Sequence, residues 1–332
     1  MRLLEFDVAK AICIILVVMG HYAVKQPVWW TTVHDIIYTF HMPLFMFASG
    51  YIYIAFKKEE RYTFFLCKKV KRLLIPYIVT SIIVVTIKLL SQNFLYVENP
   101  VTILSYLRLF YLPEAGYYLW FIWALWWMFV IVPLFKSKEH RIFLFFVAIL
   151  LHYTAWTENF TDIFCIKQTA FMLIWFMLGV ISFDWKLLVN LVKPSHLIFA
   201  LIIFSLAIVV CIVINNSLEG DYFIIRNEYL LEGAKILCPY CGIFFIMIAS
   251  KYITQIGVPK WLMTIAGSTY IIYLFHTTVM GLAKAILMKI PSLQSWPVVD
   301  IIIVVAMGIS VPILMQKIFQ KYRLTRIMFG LK

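Results

Sequence analysis

Apolar residues occupy the chain in long runs of roughly 18 to 24 positions, and polar residues gather in the connections between these runs. A helix of that length crosses a hydrocarbon core about 30 Å thick. The pattern predicts about ten transmembrane helices, at 8–25, 34–56, 73–92, 117–135, 141–157, 168–184, 196–215, 234–252, 264–287 and 298–319. We therefore expect an all-α integral membrane protein in which residues 1–332 form a single transmembrane domain.

The composition agrees with a membrane protein. Hydrophobic residues make up 64% of the 332 positions and charged residues only 14%, against about a quarter in soluble proteins. The six cysteines lie in or beside the apolar runs, so we expect no structural disulfide. Cys238 and Cys241 have the spacing of a redox or zinc motif, but they lie in an apolar run without His or Cys partners nearby, which favours packing. No metal is expected.

The net charge of +13 is distributed unevenly between alternate connections. If the two termini share a face, 20 of the 29 Lys and Arg residues lie on that face, seven of them within the connection 57–72. The positive-inside rule then places both termini in the cytoplasm. Basic segments of this kind set topology and bind anionic lipid head groups, so the charge indicates a membrane partner and no nucleic acid. We expect a multi-pass protein of the cell membrane, either inner or plasma.

Two ionisable residues, Lys10 and His21, interrupt the first apolar run. Eleven helical positions bring both side chains to one face, about 16 Å apart along the axis. Such groups are costly in hydrocarbon and usually face a protein interior or a wet cavity, which indicates a polar track through the bilayer. His41 on the second helix should lie at a similar depth to His21. Both imidazoles are candidate general bases, or they anchor helix ends at the interface.

Six sequence segments resemble, in order, the motifs of the membrane acyltransferase 3 family. They are FDVAK at 6–10 followed by His21, FHMPLFMFASGY at 40–51, KRLLIPY at 71–77, LWFIWAL at 119–125, FMLG at 176–179 and STYIIYLFH at 268–276. The first two are specific in combination, whereas the later ones are weak individually. Together they cover most of the chain.

The resemblance implies ten transmembrane helices and a transferase that moves an acyl group, usually acetyl, from cytoplasmic acetyl-CoA to a hydroxyl of a cell-surface polysaccharide or its lipid-linked precursor. The cations Lys10, Lys69 and Arg72 would bind the phosphates of coenzyme A. His21, with His41, would carry catalysis, either as base for the acceptor hydroxyl or as a transient acyl carrier. The family commonly has Arg at the first two cationic positions. Lys keeps the charge there but loses the bidentate fork.

Trp120 and His276 are candidate substrate-binding residues within the later motifs. Each has a simpler alternative, because tryptophan anchors helices at the membrane interface and a lone histidine in a helix is often a packed, hydrogen-bonded residue. Two other functions stay open. A cationic track through ten helices would also suit a transporter or exporter of a small anion or glycan. A scaffold of a polysaccharide-export complex would leave Lys10 and His21 dispensable.

Overall fold

The computed structural model describes residues 3–22, 27–94, 97, 99–155, 160–188, 193–219, 228–289 and 297–331. Within these residues the chain is helical and contains no β-strand, which confirms the all-α fold class. The α-helices are α1 (Leu4–Gly20), α2 (Val28–Ala55), α3 (Tyr62–Lys69), α4 (Ile75–Ser91), α5 (Ser105–Arg108), α6 (Trp120–Ile131), α7 (Lys138–Thr154), α8 (Ile166–Asp184), α9 (Pro194–Glu219), α10 (Glu228–Ile256), α11 (Lys260–Leu287), α12 (Pro297–Phe319) and α13 (Arg323–Met328).

Seven helical segments in the described part of the chain are long and apolar enough to cross a membrane: Tyr62–Ser91, Tyr117–Leu134, Ile163–Asp184, Pro194–Ile212, Ile236–Ile256, Lys260–Leu287 and Pro297–Phe319. They support a multi-pass membrane protein. The predicted spans 8–25, 34–56 and 141–157 overlap α1, α2 and α7, which are not among the seven, and their positions 23–25 and 156–157 lie outside the described residues. α1 and α7 have 17 residues each, about 26 Å of helix. Ten spans and cytoplasmic termini therefore stay predictions.

The basic segment 57–72 is predicted to be a connection between helices, but most of it is helical in the structure. Helix α3 begins at Tyr62, and the π-helical turn Val70–Leu74 joins it to α4, so one helical segment runs to Ser91. The physical reason is that residues 62–69 contain neither Gly nor Pro, and Pro76 stands in the first turn of α4, where the ring is tolerated. The predicted span 73–92 is thus the second part of a longer helical segment.

The chain divides into two compact units. Unit 1 comprises Met1–Ala55 and Leu178–Thr269, and unit 2 comprises Phe56–Met177 and Tyr270–Lys332. One boundary follows the last residue of α2, and the other two fall inside α8 and α11. The single domain over 1–332 stays a prediction.

In unit 1, α1 packs against both α2 and α10, and α9 packs against α10. Gly179 at the end of α8 permits a very close approach to α2. A β-carbon on Gly179 would collide with the Phe47 carbonyl oxygen and lie 2.8 Å from the Tyr51 backbone nitrogen. Small residues serve this purpose in membrane bundles, where backbones must approach for helices to pack.

In unit 2, the π-helical turn and α3 pack against α6, and α13 packs against α4. The buried Tyr77 hydroxyl donates to two backbone carbonyls, 2.7 Å from Leu109 and 2.9 Å from Leu112, and so fastens the segment around α5 to α4. The rings of Phe319 and Phe329 stack on each other, with their centroids 4.3 Å apart. These contacts fix the basic turn between two packed segments.

Candidate active site

Three histidines surround one tyrosine in unit 1. The Tyr38 hydroxyl lies 3.4 Å from Nδ1 of His21. The ring of His34 stacks on the Tyr38 ring at 4.4 Å, and the ring of His41 meets it edge-on at 4.9 Å. We call His21, His34, Tyr38 and His41 the Tyr38 cluster. It brings together the two predicted catalytic histidines, which α1 and α2 supply separately.

The spacing of three residues in the sequence indicates this cluster. His34, Tyr38 and His41 follow the spacing i, i+4, i+7, which places three side chains on one helix face. Tyr38 and His34 were not predicted as site residues. His21 joins them because it directly follows the last residue of α1, where the chain leaves the helix with backbone angles still close to helical.

His41 is buried, with 2% of its surface exposed. Its Nδ1 lies 2.7 Å from the carbonyl oxygen of Ile37 one turn earlier. A carbonyl only accepts, so Nδ1 carries the proton, and in the neutral ring Nε2 holds the lone pair. The backbone carbonyl of His41 also accepts the Cys13 thiol at 3.0 Å, which ties α2 to α1. His41 is therefore held in an orientation and tautomer that suit a proton acceptor.

His21 is only half-buried. Tyr38 engages Nδ1 of the His21 ring. A phenol hydroxyl can donate or accept, so this contact is compatible with either protonation state of the ring. An imidazole with one nitrogen engaged by a partner is among the groups that can act as a general base.

Lys10 lies on α1, eleven positions before His21. Its Nζ is 2.9 Å from Oδ1 of Asp7 on the same helix, with 30% of the lysine side chain exposed. An anionic ligand bound to Lys10 would therefore lie next to the negatively charged carboxylate of Asp7. Lys10 and His21 belong to unit 1, whereas the other two predicted cations, Lys69 and Arg72, belong to unit 2.

Lys69 and Arg72 differ in their surroundings. The Lys69 ammonium lies 3.4 Å from the centroid of the Phe129 ring and 5.2 Å from that of Phe65, and the residue is half-buried. Aromatic faces attract a cation in this way. Arg72 is exposed and lies in the π-helical turn Val70–Leu74, a conformation that is frequent at functional sites. Arg72 is thus the more exposed member of the pair.

His276 is fully buried in an aromatic cluster of unit 2. Its Nδ1 lies 3.0 Å from the Ile272 carbonyl oxygen, and its ring centroid is 5.3 Å from that of Tyr118. The Tyr118 hydroxyl donates to the Leu274 carbonyl at 2.9 Å, and the Tyr273 hydroxyl donates to the Tyr118 carbonyl at 2.6 Å. These bonds join α11 to the turn before α6. Tyr118 and Tyr273 were not predicted as site residues.

Trp120 lies at the edge of the same cluster. Its ring is 6.2 Å from that of Phe121, which in turn lies 5.5 Å from Tyr273. The two predicted substrate-binding residues, Trp120 and His276, are therefore connected through aromatic contacts. Among the described residues, no group of three His, Cys, Asp or Glu side chains is arranged to hold a metal ion.

The seven membrane-length apolar helices of the described residues define a multi-pass membrane protein. Its clustered imidazoles, its phenols and its exposed basic turn are groups suited to acid–base chemistry and anion binding. The chain belongs to the acyltransferase family whose profile, described as an acyltransferase domain, matches residues 3–315. The membership predicted from the sequence motifs is confirmed, and it supports acyl transfer as the class of reaction.

Two similar proteins are nodulation proteins named NolL. That of Sinorhizobium fredii is 32% identical over 142 residues, which are 41% of this chain and 37% of the relative. That of Mesorhizobium japonicum is 31% identical over 137 residues, which are 40% of this chain and 35% of the relative. The chain thus aligns with little more than a third of each relative's length. No solved structure matches the chain.

Proposed function

We propose that this protein is an integral-membrane O-acyltransferase that moves an acyl group, most simply acetyl, from acyl-CoA to a hydroxyl of a cell-surface polysaccharide or its lipid-linked precursor. The observation that carries the proposal is the Tyr38 cluster, in which an oriented imidazole stands at the end of α1 in a chain of the acyltransferase family. The family match favours the enzyme over a transporter or a scaffold.

In the proposed reaction, Nε2 of His21 removes the proton of the acceptor hydroxyl. The oxygen of that hydroxyl attacks the carbonyl carbon of the thioester. The tetrahedral intermediate collapses, the carbon–sulfur bond breaks, and the coenzyme A thiolate leaves. The imidazolium of His21 returns the proton to that thiolate, so the ring ends as it began. Tyr38 keeps Nδ1 engaged throughout. His41, with its lone pair on Nε2 beside the same phenol, is the alternative base for this one proton.

The donor's phosphates would be bound by Lys10, Lys69 and Arg72, with Arg72 the most accessible of the three. Guanidinium and ammonium groups form short, charge-assisted hydrogen bonds to phosphate oxygens. The acceptor sugar would lie against Trp120 and the His276 aromatic cluster, since aromatic rings offer the apolar faces of a sugar a flat surface. No metal takes part in the proposed chemistry.

We further propose ten transmembrane helices as one functional domain in the inner or plasma membrane, with both termini cytoplasmic. The basic connection 57–72 supports this orientation. The donor then enters from the cytoplasm and the acceptor from the outer face. The length from Lys10 to His21, about 16 Å, is about half the hydrocarbon thickness, so coenzyme A itself stays inside.

The decisive test compares His21→Ala with His140→Ala, which removes an exposed histidine from the first turn of α7. Purified protein is incubated with labelled acetyl-CoA and glycan from the producing cells. Loss of a general base should lower transfer by about 10²- to 10⁴-fold for His21→Ala, and the control should transfer normally. Equal transfer by wild type and a well-inserted His21→Ala protein would remove His21 from the mechanism.

Sidedness needs a separate measurement in sealed vesicles of known orientation. Acetyl-CoA should support transfer only from the cytoplasmic side, and modified glycan should appear on the opposite side. Transfer with both substrates confined to the cytoplasmic face would contradict the cross-membrane model but would leave acyl transfer intact.

A further inference from the structure

The segment that ends the described chain packs directly against the turn that carries Arg72. Gly330 has φ +62, and a β-carbon there would lie 3.2 Å from the Arg72 carbonyl oxygen and 3.3 Å from Pro76 Cγ. Phe329 anchors the segment, since only 2% of it is exposed and its ring stacks on Phe319 at 4.3 Å. We call residues 322–331 the C-terminal segment.

This segment carries two exposed arginines, Arg323 and Arg326, one turn apart on α13. The backbone N–H of Leu331 donates to the Arg326 carbonyl at 2.8 Å, so the chain folds back and brings Arg326 next to Gly330. Gly330 in turn lies beside the backbone of Arg72, where a β-carbon on the glycine would be in tight contact with it. Arg72 and Arg326 therefore project from neighbouring backbone segments.

The charges on the two packed segments are of one sign. The stretches 61–91 and 301–332 contain no Asp or Glu, yet they hold Lys71 and Arg72 on one side and Arg323 and Arg326 on the other. Cations held close together repel one another. A bound polyanion attracts all of them, so the electrostatic energy of the cluster becomes favourable. Arginine is the residue best suited to phosphate, because its planar fork matches two phosphate oxygens.

We propose that the C-terminal segment completes the phosphate-binding site for the acyl donor, with Arg323 and Arg326 joining Arg72 around the phosphate groups of coenzyme A. This inference rests on the proposed function, in which acyl-CoA is the donor. Coenzyme A carries a diphosphate and a separate 3′-phosphate, more charge than a single arginine matches. The segment lies beyond residues 3–315 that match the family profile, so it adds contacts to those of the shared domain.

The same phosphate chemistry is offered by anionic lipid head groups, and the experiment must separate the two sources. Full-length protein in discs of neutral phosphatidylcholine is titrated with desulfo-coenzyme A, which binds without reacting. Arg326→Gln and Arg323→Gln remove one charge each from the segment. Arg108→Gln is the matched control, because it removes an exposed arginine of unit 2 whose partner is Glu114 at 3.4 Å.

We expect Arg326→Gln and Arg323→Gln each to weaken desulfo-coenzyme A binding by about tenfold, as loss of one hydrogen bond to a charged group would. Binding of pantetheine, which lacks phosphate, should not change in these variants. Arg108→Gln should bind both ligands as wild type does. Each variant is checked for a monodisperse size-exclusion profile before titration.

Several outcomes would overturn the inference. Unchanged desulfo-coenzyme A affinity in both segment variants, with weaker affinity in Arg72→Gln, would exclude the segment while leaving the proposed function intact. Binding of phosphatidylglycerol is measured separately for the same variants. If the two segment variants bind this lipid more weakly than wild type but bind desulfo-coenzyme A equally well, the segment is a lipid site. A wild-type protein that binds no coenzyme A would overturn both the inference and the proposed function.

Discussion

Gly179→Ala tests the close contact between α8 and α2 in unit 1. The new methyl group would collide with the Phe47 carbonyl oxygen and would lie 2.9 Å from its carbonyl carbon and 2.8 Å from the Tyr51 nitrogen. All three atoms belong to the backbone of α2, so no side-chain rotation relieves the collision. The end of α8 and the facing turn of α2 must move apart.

The size of the effect follows from these distances. Nonbonded carbon atoms are most stable about 3.5 to 4.0 Å apart, so the methyl must retreat by at least about 0.6 Å from the Phe47 carbon alone. Overpacking of this kind costs typically 1–3 kcal/mol, and a collision with backbone belongs near the upper limit, about 3 kcal/mol. Alanine regains about 1 kcal/mol over glycine in a helix. We expect a net destabilisation of about 2 kcal/mol.

The assay is thermal unfolding of the purified protein in one detergent, followed by size-exclusion of the heated samples. Gly267→Ala and Gly281→Ala are the controls. Both glycines lie within α11, and no heavy atom lies within 4 Å of a β-carbon built at either position. The controls should match wild type or exceed it slightly, because only the helix propensity changes. A Gly179→Ala protein as stable as the controls would refute the close approach of α8 to α2.

Three further changes test other contacts. Tyr77→Phe leaves two backbone carbonyls without their phenol donor and should destabilise the fold by about 1–3 kcal/mol, measured by the same unfolding assay; a neutral result would contradict those bonds. Ser137→Ala removes the side-chain cap of α7 and should cost about 1 kcal/mol, whereas Ser137→Asp should retain the cap and serves as its control. Tyr38→Phe keeps the ring contacts but removes the hydroxyl from His21; acyl transfer should fall about fivefold, and an unchanged rate would exclude an orienting role.

The sequence alone determined the class of fold and the reaction family. Apolar runs such as 196–215 and 298–319 are long enough to require helices in a membrane, because backbone hydrogen bonds must be satisfied within each span, and α9 and α12 contain these runs. The motif with Lys10 and His21 identified the acyltransferase family, which the profile over residues 3–315 confirms. The eleven-residue spacing also predicts that both side chains share one face, since helix geometry is local.

Only the tertiary structure decided which helix faces meet. It brought Tyr38 to His21, Gly179 against α2, and Gly330 against Arg72. A span in lipid is apolar all round, so hydrophobic periodicity does not mark the face that packs inward as it does in a soluble helix. Pairing instead depends on close contacts between small residues, aromatic rings and individual hydrogen bonds. Those contacts join residues far apart in the chain, and they exist only once the helices have assembled.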